Sequence, residues 1–172
     1  MLQKLLILLT VCSFTLNLHA GDSQNIKPDD PIYIANIIPY SPFATVPKTV
    51  IQECDPSLEL SKALPHDVTN FNLIPTDLTN VTDKPKLYME IYDVKAHDGG
   101  GWGGRRQSIT VRGKLLDKDG VSATFIATRN TLGSPLSGTC SMLTDCIHSI
   151  SEDISIWLKN PVMKARLGDE KG

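Results

Sequence analysis

Residues 86–130, KLYMEIYDVKAHDGGGWGGRRQSITVRGKLLDKDGVSATFIATRN, hold three β-like runs in succession with turn chemistry between them. In the first run Leu87, Met89 and Ile91 alternate with Tyr88, Glu90 and Tyr92, which places the two sets on opposite faces of a strand, and Val94 and Ala96 extend it. The second run sets Ile109, Val111 and Leu115 against Thr110, Arg112 and Lys114, with Gly113 marking a bulge. Asp117-Lys118-Asp119-Gly120 is a tight-turn sequence. Beyond it Val121, Ala123, Phe125 and Ala127 face one way, and Ser122, Thr124, Ile126 and Thr128 the other. The pattern is an antiparallel meander with one apolar and one wetter face.

A helix is expected to cover the apolar face. Leu143, Cys146, Ile147, Ile150, Ile154, Trp157 and Leu158 recur at three- and four-residue steps between about Thr139 and Lys159. Thr139 is a candidate N-cap and Asn160-Pro161 supplies the stop, while Asp145, His148, Ser151, Glu152 and Ser155 form the solvated side. Upstream, Asp55 caps a short helix begun by Pro56 and carried by Leu58, Leu60, Ala63 and Leu64 as far as Pro65. Ile32 to Ile38, bounded by Pro31 and Pro39, reads as a first strand, and Phe71, Leu73 and Ile74 alternate briefly. Together these elements predict an α+β fold, a two-layer sandwich in which a mainly antiparallel sheet with a β-meander carries its helices on one face.

Met1 to Ala20 reads as a secretory signal: Lys4 is its positive end, Leu5 to Leu18 its apolar stretch, and Leu18-His19-Ala20 its cleavage site. The stretch falls short of the roughly 20 residues that span a bilayer and is interrupted by polar residues, so a membrane anchor is disfavoured. Val11 ahead of Cys12 argues against lipidation. Residues 21–31 follow as a flexible leader, 32–160 as one α+β domain and 161–172 as a polar tail. Taking 20 from 172 residues leaves 152, which suits a single core. Lys and Arg number 17 against 19 Asp and Glu; losing Lys4 gives 16 − 19 = −3, which disfavours a nucleic-acid binder relying on a basic surface. No transmembrane segment is expected in the mature chain, and the expected location is exported, periplasmic or secreted.

Three cysteines remain after cleavage, Cys54, Cys140 and Cys146, in a compartment that favours oxidation. Six helical residues separate Cys140 from Cys146 by about 9 Å along the axis, too far for a bridge. If Cys54 is bridged, its partner is therefore one of these two; Cys140, at the adjustable helix start, is the first choice and Cys146 the alternative. The thiol left over is then buried and inert. Zinc held by Cys140, Asp145, Cys146 and His148 is disfavoured, because the spacing matches no closed zinc pattern and the side chains point several ways around a helix. No motif calls for a metal or a cofactor.

The most distinctive segment is Asp98-Gly99-Gly100-Gly101-Trp102-Gly103-Gly104-Arg105-Arg106, with five glycines around one tryptophan between the first two strands of the meander. One reading is a hairpin connector whose glycines tolerate positive φ. The other is a loop that presents Trp102, Arg105 and Arg106 to a partner protein, an anionic glycan or lipid headgroups. A phosphate-binding loop is disfavoured, since a strand follows where a helix N-terminus is required. Catalysis finds little support: the mature histidines are His66, His97 and His148, and no serine sits in a Gly-x-Ser-x-Gly elbow. Glu90 and Asp93, three apart in a regular strand, fall on opposite faces.

Glu53-Cys54 ahead of a short helix, the glycine-rich hairpin, Gly138-Thr139-Cys140-Ser141-Met142-Leu143, Asp153-Ile154, Trp157-Leu158 and Arg166-Leu167-Gly168-Asp169 form a combined pattern over roughly 46–169. It resembles a group of uncharacterised secreted proteins and lipoproteins of Gram-negative bacteria, similar to the small α/β envelope lipoproteins of the YajG or DUF4410 type. The resemblance implies an envelope location and a helix-covered sheet, and brings no catalytic residue with it. The expectation is a non-enzymatic exported accessory or binding protein whose partner is an envelope protein or surface component, met by Trp102, Arg105 and Arg106. The alternative is an exported enzyme, such as a hydrolase, with no recognisable catalytic motif, for which His97 and Asp98 are the candidates.

Overall fold

The computed structural model describes residues 31–67, 71–74, 78–97, 105–133 and 137–170. The N-terminal signal and nearly all of the leader lie outside the described residues, as do Asp98 and Trp102. The elements are β1 (Ile32–Ala35), β2 (Tyr40–Thr45), α1 (Lys48–Cys54), α2 (Pro56–Asp67), β3 (Phe71–Ile74), β4 (Lys86–His97), β5 (Arg105–Asp117), β6 (Gly120–Gly133), α3 (Thr139–Leu158) and β7 (Ala165–Gly168). The strands form one sheet in the order β3-β1-β4-β5-β6-β7, and β2 pairs with β4 beside β1. The long β4–β5 and β5–β6 pairs are antiparallel, the second through the tight turn at 117–120. The short flanking pairs, β1 with β3 and β4, β2 with β4, and β6 with β7, are parallel. The fold is α+β, a mostly antiparallel sheet with three helices packed on it.

A single hydrophobic core joins Val50 of α1, Leu60 and Leu64 of α2 and the α3 stripe to the inward residues of β1, β4, β5 and β6. Ile147, Ile150 and Ile154 of α3 are fully buried and together contribute roughly 5 kcal/mol or more. Ser151, expected on the wet side of α3, is buried as well. Gly138, not Thr139, is the N-cap residue, and it offers no side-chain hydrogen bond. Asp55 serves two helices: its backbone is left-handed at the end of α1, and its Oδ1 accepts the Leu58 N–H at 3.3 Å at the start of α2. Pro65 does not stop α2, which runs on to Asp67.

Two one-residue shifts correct the strand alternation. In β4 the register passes from Ile91↔Val111 to Asp93↔Thr110, leaving Tyr92 as the extra residue. This bulge keeps Val94 on the core face with Leu87, Met89 and Ile91, which strict alternation forbids. It also puts Asp93 on the same face as Glu90, against the sequence expectation. In β6 the register passes from Leu115↔Ala123 to Leu116↔Val121 around Ser122, so Val121 turns to solvent and is half exposed. Gly113 is not a bulge: the Phe125 ring lies over it, and a Cβ there would stand 2.2 Å from Phe125 Cε1. Phe125 in turn meets Trp157 edge-on, with centroids 4.9 Å apart.

The segment read as a polar tail contributes a strand. β7 pairs with Phe125–Thr128 of β6, Leu167 is buried, and the Asp169 N–H donates to the Thr128 carbonyl at 2.8 Å. Gly168 permits the turn after it, with φ of 65° and the Thr128 carbonyl 2.4 Å from where a Cβ would stand.

Candidate functional site

The loop end of the meander is a braced platform. Cys54, closing α1, is bridged to Cys140 in the first turn of α3 with Cα atoms 5.0 Å apart, so the first choice of pairing is the one found. Cys146 is the free, buried thiol, and burial, with Asp145 adding to it, pushes its pKa up to about 11. That is far from the lowered values of reactive cysteines. Arg105 Nη1 donates to the Ser137 carbonyl at 2.8 Å, tying the root of the β4–β5 hairpin to the segment that leads into α3. Gly133 closes the same corner, backed by the Met142 side chain.

Of the three residues expected to meet a partner, Arg106 is exposed and pairs in register with His97 at the mouth of the hairpin. Arg105 is half-buried, and its Nη1 donates to the Ser137 carbonyl. Trp102 lies outside the described residues. Behind Arg106, Gln107 is fully buried, and neither its amide oxygen nor its amide nitrogen has a hydrogen-bond partner among the described residues.

The solvent-facing side of the sheet forms a second constellation that sequence reading missed. Its rows follow from the registers: Glu90, Arg112, Ile126 and Arg166 lie side by side across β4, β5, β6 and β7. The next row is Tyr88, Lys114 and Thr124, with Lys164 beside Thr124, whose Oγ1 accepts the Lys164 N–H at 2.9 Å. The Arg112 guanidinium lies 3.4 Å from the Tyr92 ring centroid and the Lys114 ammonium 5.4 Å from that of Tyr88. Arg166 is 3.5 Å from Glu170. Between β5 and β7 a cleft of about 320 Å³ opens to solvent, lined by Arg112, Thr124, Ile126, Lys164 and Arg166 among others. Arg112, Lys114, Lys164 and Arg166 are all exposed.

The remaining charged network supports the fold. Arg129 clamps the buried Asp153 of α3 with two hydrogen bonds of 2.8 and 2.9 Å, and Asp169 stands 3.6 Å from the same guanidinium. These carboxylates, Asp153 first, raise the Arg129 pKa further. His97 and His148 are exposed on separate elements. The sulfur of Cys140 belongs to the disulfide, which removes it from the zinc set considered above. Among the described residues no cluster of three or more His, Cys, Asp or Glu could hold a metal, and no helix is long and apolar enough to cross a membrane.

No protein-family model matches the chain, and no curated protein matches it. Among solved structures it is similar to a PelC dodecamer from Paraburkholderia phytofirmans, at 14% identity over 74% of this chain and 89% of that one, with a TM-score of 0.45. It is also similar to a DUF330 protein from Xanthomonas campestris (14% identity, 76% and 83% covered, TM-score 0.46) and a minor lipoprotein from Acinetobacter baumannii (11%, 73% and 91%, TM-score 0.41). Its neighbours in structure are DUF330 proteins and lipoproteins of Gram-negative bacteria. Likeness at these scores bears on neither ligand nor activity.

Proposed function

We propose that the chain is an exported, non-enzymatic accessory protein of a Gram-negative envelope, periplasmic or secreted, related to the small lipoproteins of the YajG or DUF4410 type. In this reading residues 1–20 are a signal peptide, 21–31 a leader, and the domain from 32 onward includes β7. The loop end of the β4–β5 hairpin binds an envelope protein or surface component through Trp102 and Arg106. Arg105 holds the root of that loop in place.

The observation that carries this reading is the brace itself. The Arg105–Ser137 hydrogen bond ties the β5 side of the loop root to the segment that the Cys54–Cys140 bridge, three residues further on, fixes to α1, while Arg106 remains exposed beside it. A loop carried by a fixed frame loses less entropy when it engages a partner. The test is a crosslinking pull-down from the native envelope fraction with the mature protein and Trp102→Ala/Arg106→Ala, whose melting temperatures should agree. A specific partner recovered by the wild type and lost by the variant is expected; equal recovery by both would make the loop a connector.

A further inference from the structure

We infer that the solvent-facing side of the sheet carries a binding site separate from the hairpin loop, where the cleft between Arg112 and Lys164/Arg166 seats an acidic unit of a polyanionic polysaccharide. The registers set its dimensions. Arg112 and Lys114 are two residues apart on β5, and Lys164 and Arg166 two apart at β7, with β6 between. Strand geometry puts Arg112, Lys114 and Arg166 at three corners of a rectangle of about 7 Å along the strands by about 10 Å across them, and Lys164, just before β7, lines the cleft at the fourth side. Its centre is Ile126 and Thr124, both half-buried, and the cleft of about 320 Å³ lies along one side. Such a frame suits a chain of linked sugar acids, whose rings lie along the floor while the carboxylates of successive units reach the cations on either rim.

Charge complementarity selects the sign of the occupant. Four cations face Glu90 and Glu170 here, while Asp93 further along β4 is paired with Lys95 at 3.4 Å, in a chain whose formal net charge is −2, so positive charge is concentrated where the remainder is acidic. The cations are also held in place: Arg112 lies against Tyr92, Lys114 faces Tyr88, and Arg166 reaches Glu170. Lys164 adopts a left-handed backbone, φ 57°, at the entry to β7, a conformation that L side chains rarely adopt. Two arginines in the set offer paired N–H groups that match a carboxylate. The cleft runs between two cationic rims, which suits a chain better than a flat lipid surface.

Equilibrium binding of the mature protein to polygalacturonate, with neutral dextran as control, tests the assignment. Binding to the acidic polymer alone is expected, and it should weaken steeply as salt rises to and beyond about 0.15 M. Arg112→Gln/Lys164→Asn/Arg166→Gln should bind at least about tenfold more weakly with an unchanged melting temperature. Glu90→Gln, opposite Arg112, should bind more tightly. Trp102→Ala/Arg106→Ala, which disables the proposed loop contact, should leave this binding unaltered, so the two readings stand or fall separately. Equal binding by the triple variant and wild type, no binding to polygalacturonate, or binding only to phosphatidylglycerol vesicles would each overturn the assignment.

Discussion

Removing the Cys54–Cys140 bridge is expected to lower the melting temperature by about 15 °C. The bridge spans 86 positions, and closing a loop of that length removes about 4.5 kcal/mol of unfolded-state freedom at 25 °C in the chain-entropy relation. The 124 described residues unfold with an entropy of about 0.26 kcal/mol/K, which converts that free energy to roughly 15 to 17 °C. Both cysteines are only half-buried, so alanine at each leaves no closed cavity to add to the loss. The seven-residue α1 is too short to persist without tertiary contacts, and the bridge is its covalent hold on α3. The assay is calorimetry of Cys54→Ala/Cys140→Ala against its parent, both carrying Cys146→Ala so that thiol exchange is excluded. A double variant melting within about 3 °C of the parent would refute the reasoning, as would peptide mapping that finds all three thiols free in the oxidised wild type.

Two further outcomes follow from the packing. Gly113→Ala should destabilise by about 2 kcal/mol, because the new methyl overlaps the Phe125 ring while that ring is held by Trp157; in a Phe125→Leu background the same substitution should cost much less, as chemical denaturation of the four proteins will show. The Cys146 thiol stays neutral to about pH 11 when folded but ionises near its ordinary value when unfolded. Its contribution is therefore fully present below about pH 9 and lost as pH rises through 11. Urea titrations at pH 8 and pH 10.5 should show wild type losing about 1–2 kcal/mol more than Cys146→Ala over that interval; equal losses would remove the thiol from the account.

The long elements were legible because burial imposes a period on them. The α3 stripe and the alternation in β5 and β6 each repeat often enough to read without a structure. The bulges at Tyr92 and Ser122 were not, since one extra residue leaves composition and turn signals untouched while reversing the face of all that follows. Val94 and Ala96 held the only clue: apolar residues at even positions after apolar residues at odd ones. Gly113 was misread because a glycine that accepts an aromatic ring from the next strand looks, in sequence, like one that bends the chain. Arg105 and Arg106 were equivalent in sequence and differ in structure, since one reaches the Ser137 carbonyl and the other does not. The cleft was invisible for a different reason. Arg112 and Arg166 are brought to one row by the parallel addition of β7, a pairing whose partners lie 40 residues apart and whose four-residue strand has no turn signal of its own.

The two faces of the sheet divide stability from recognition. On the helix side, side chains are mutually confining: the isoleucines of α3, Phe125 over Gly113, and the Arg129–Asp153 clamp each occupy space that a neighbour defines. On the solvent side Glu90, Arg112, Lys114 and Arg166 project from the same strands but bury little, and their exposed ion pairs are worth at most about 1 kcal/mol each. Charge on that side is therefore held by strands whose position is decided elsewhere. It follows that the cationic face can be rewritten, residue by residue, with the meander intact beneath it. This separation is what gives the binding measurement its force, because a loss of affinity without a loss of melting temperature can then be assigned to the altered face.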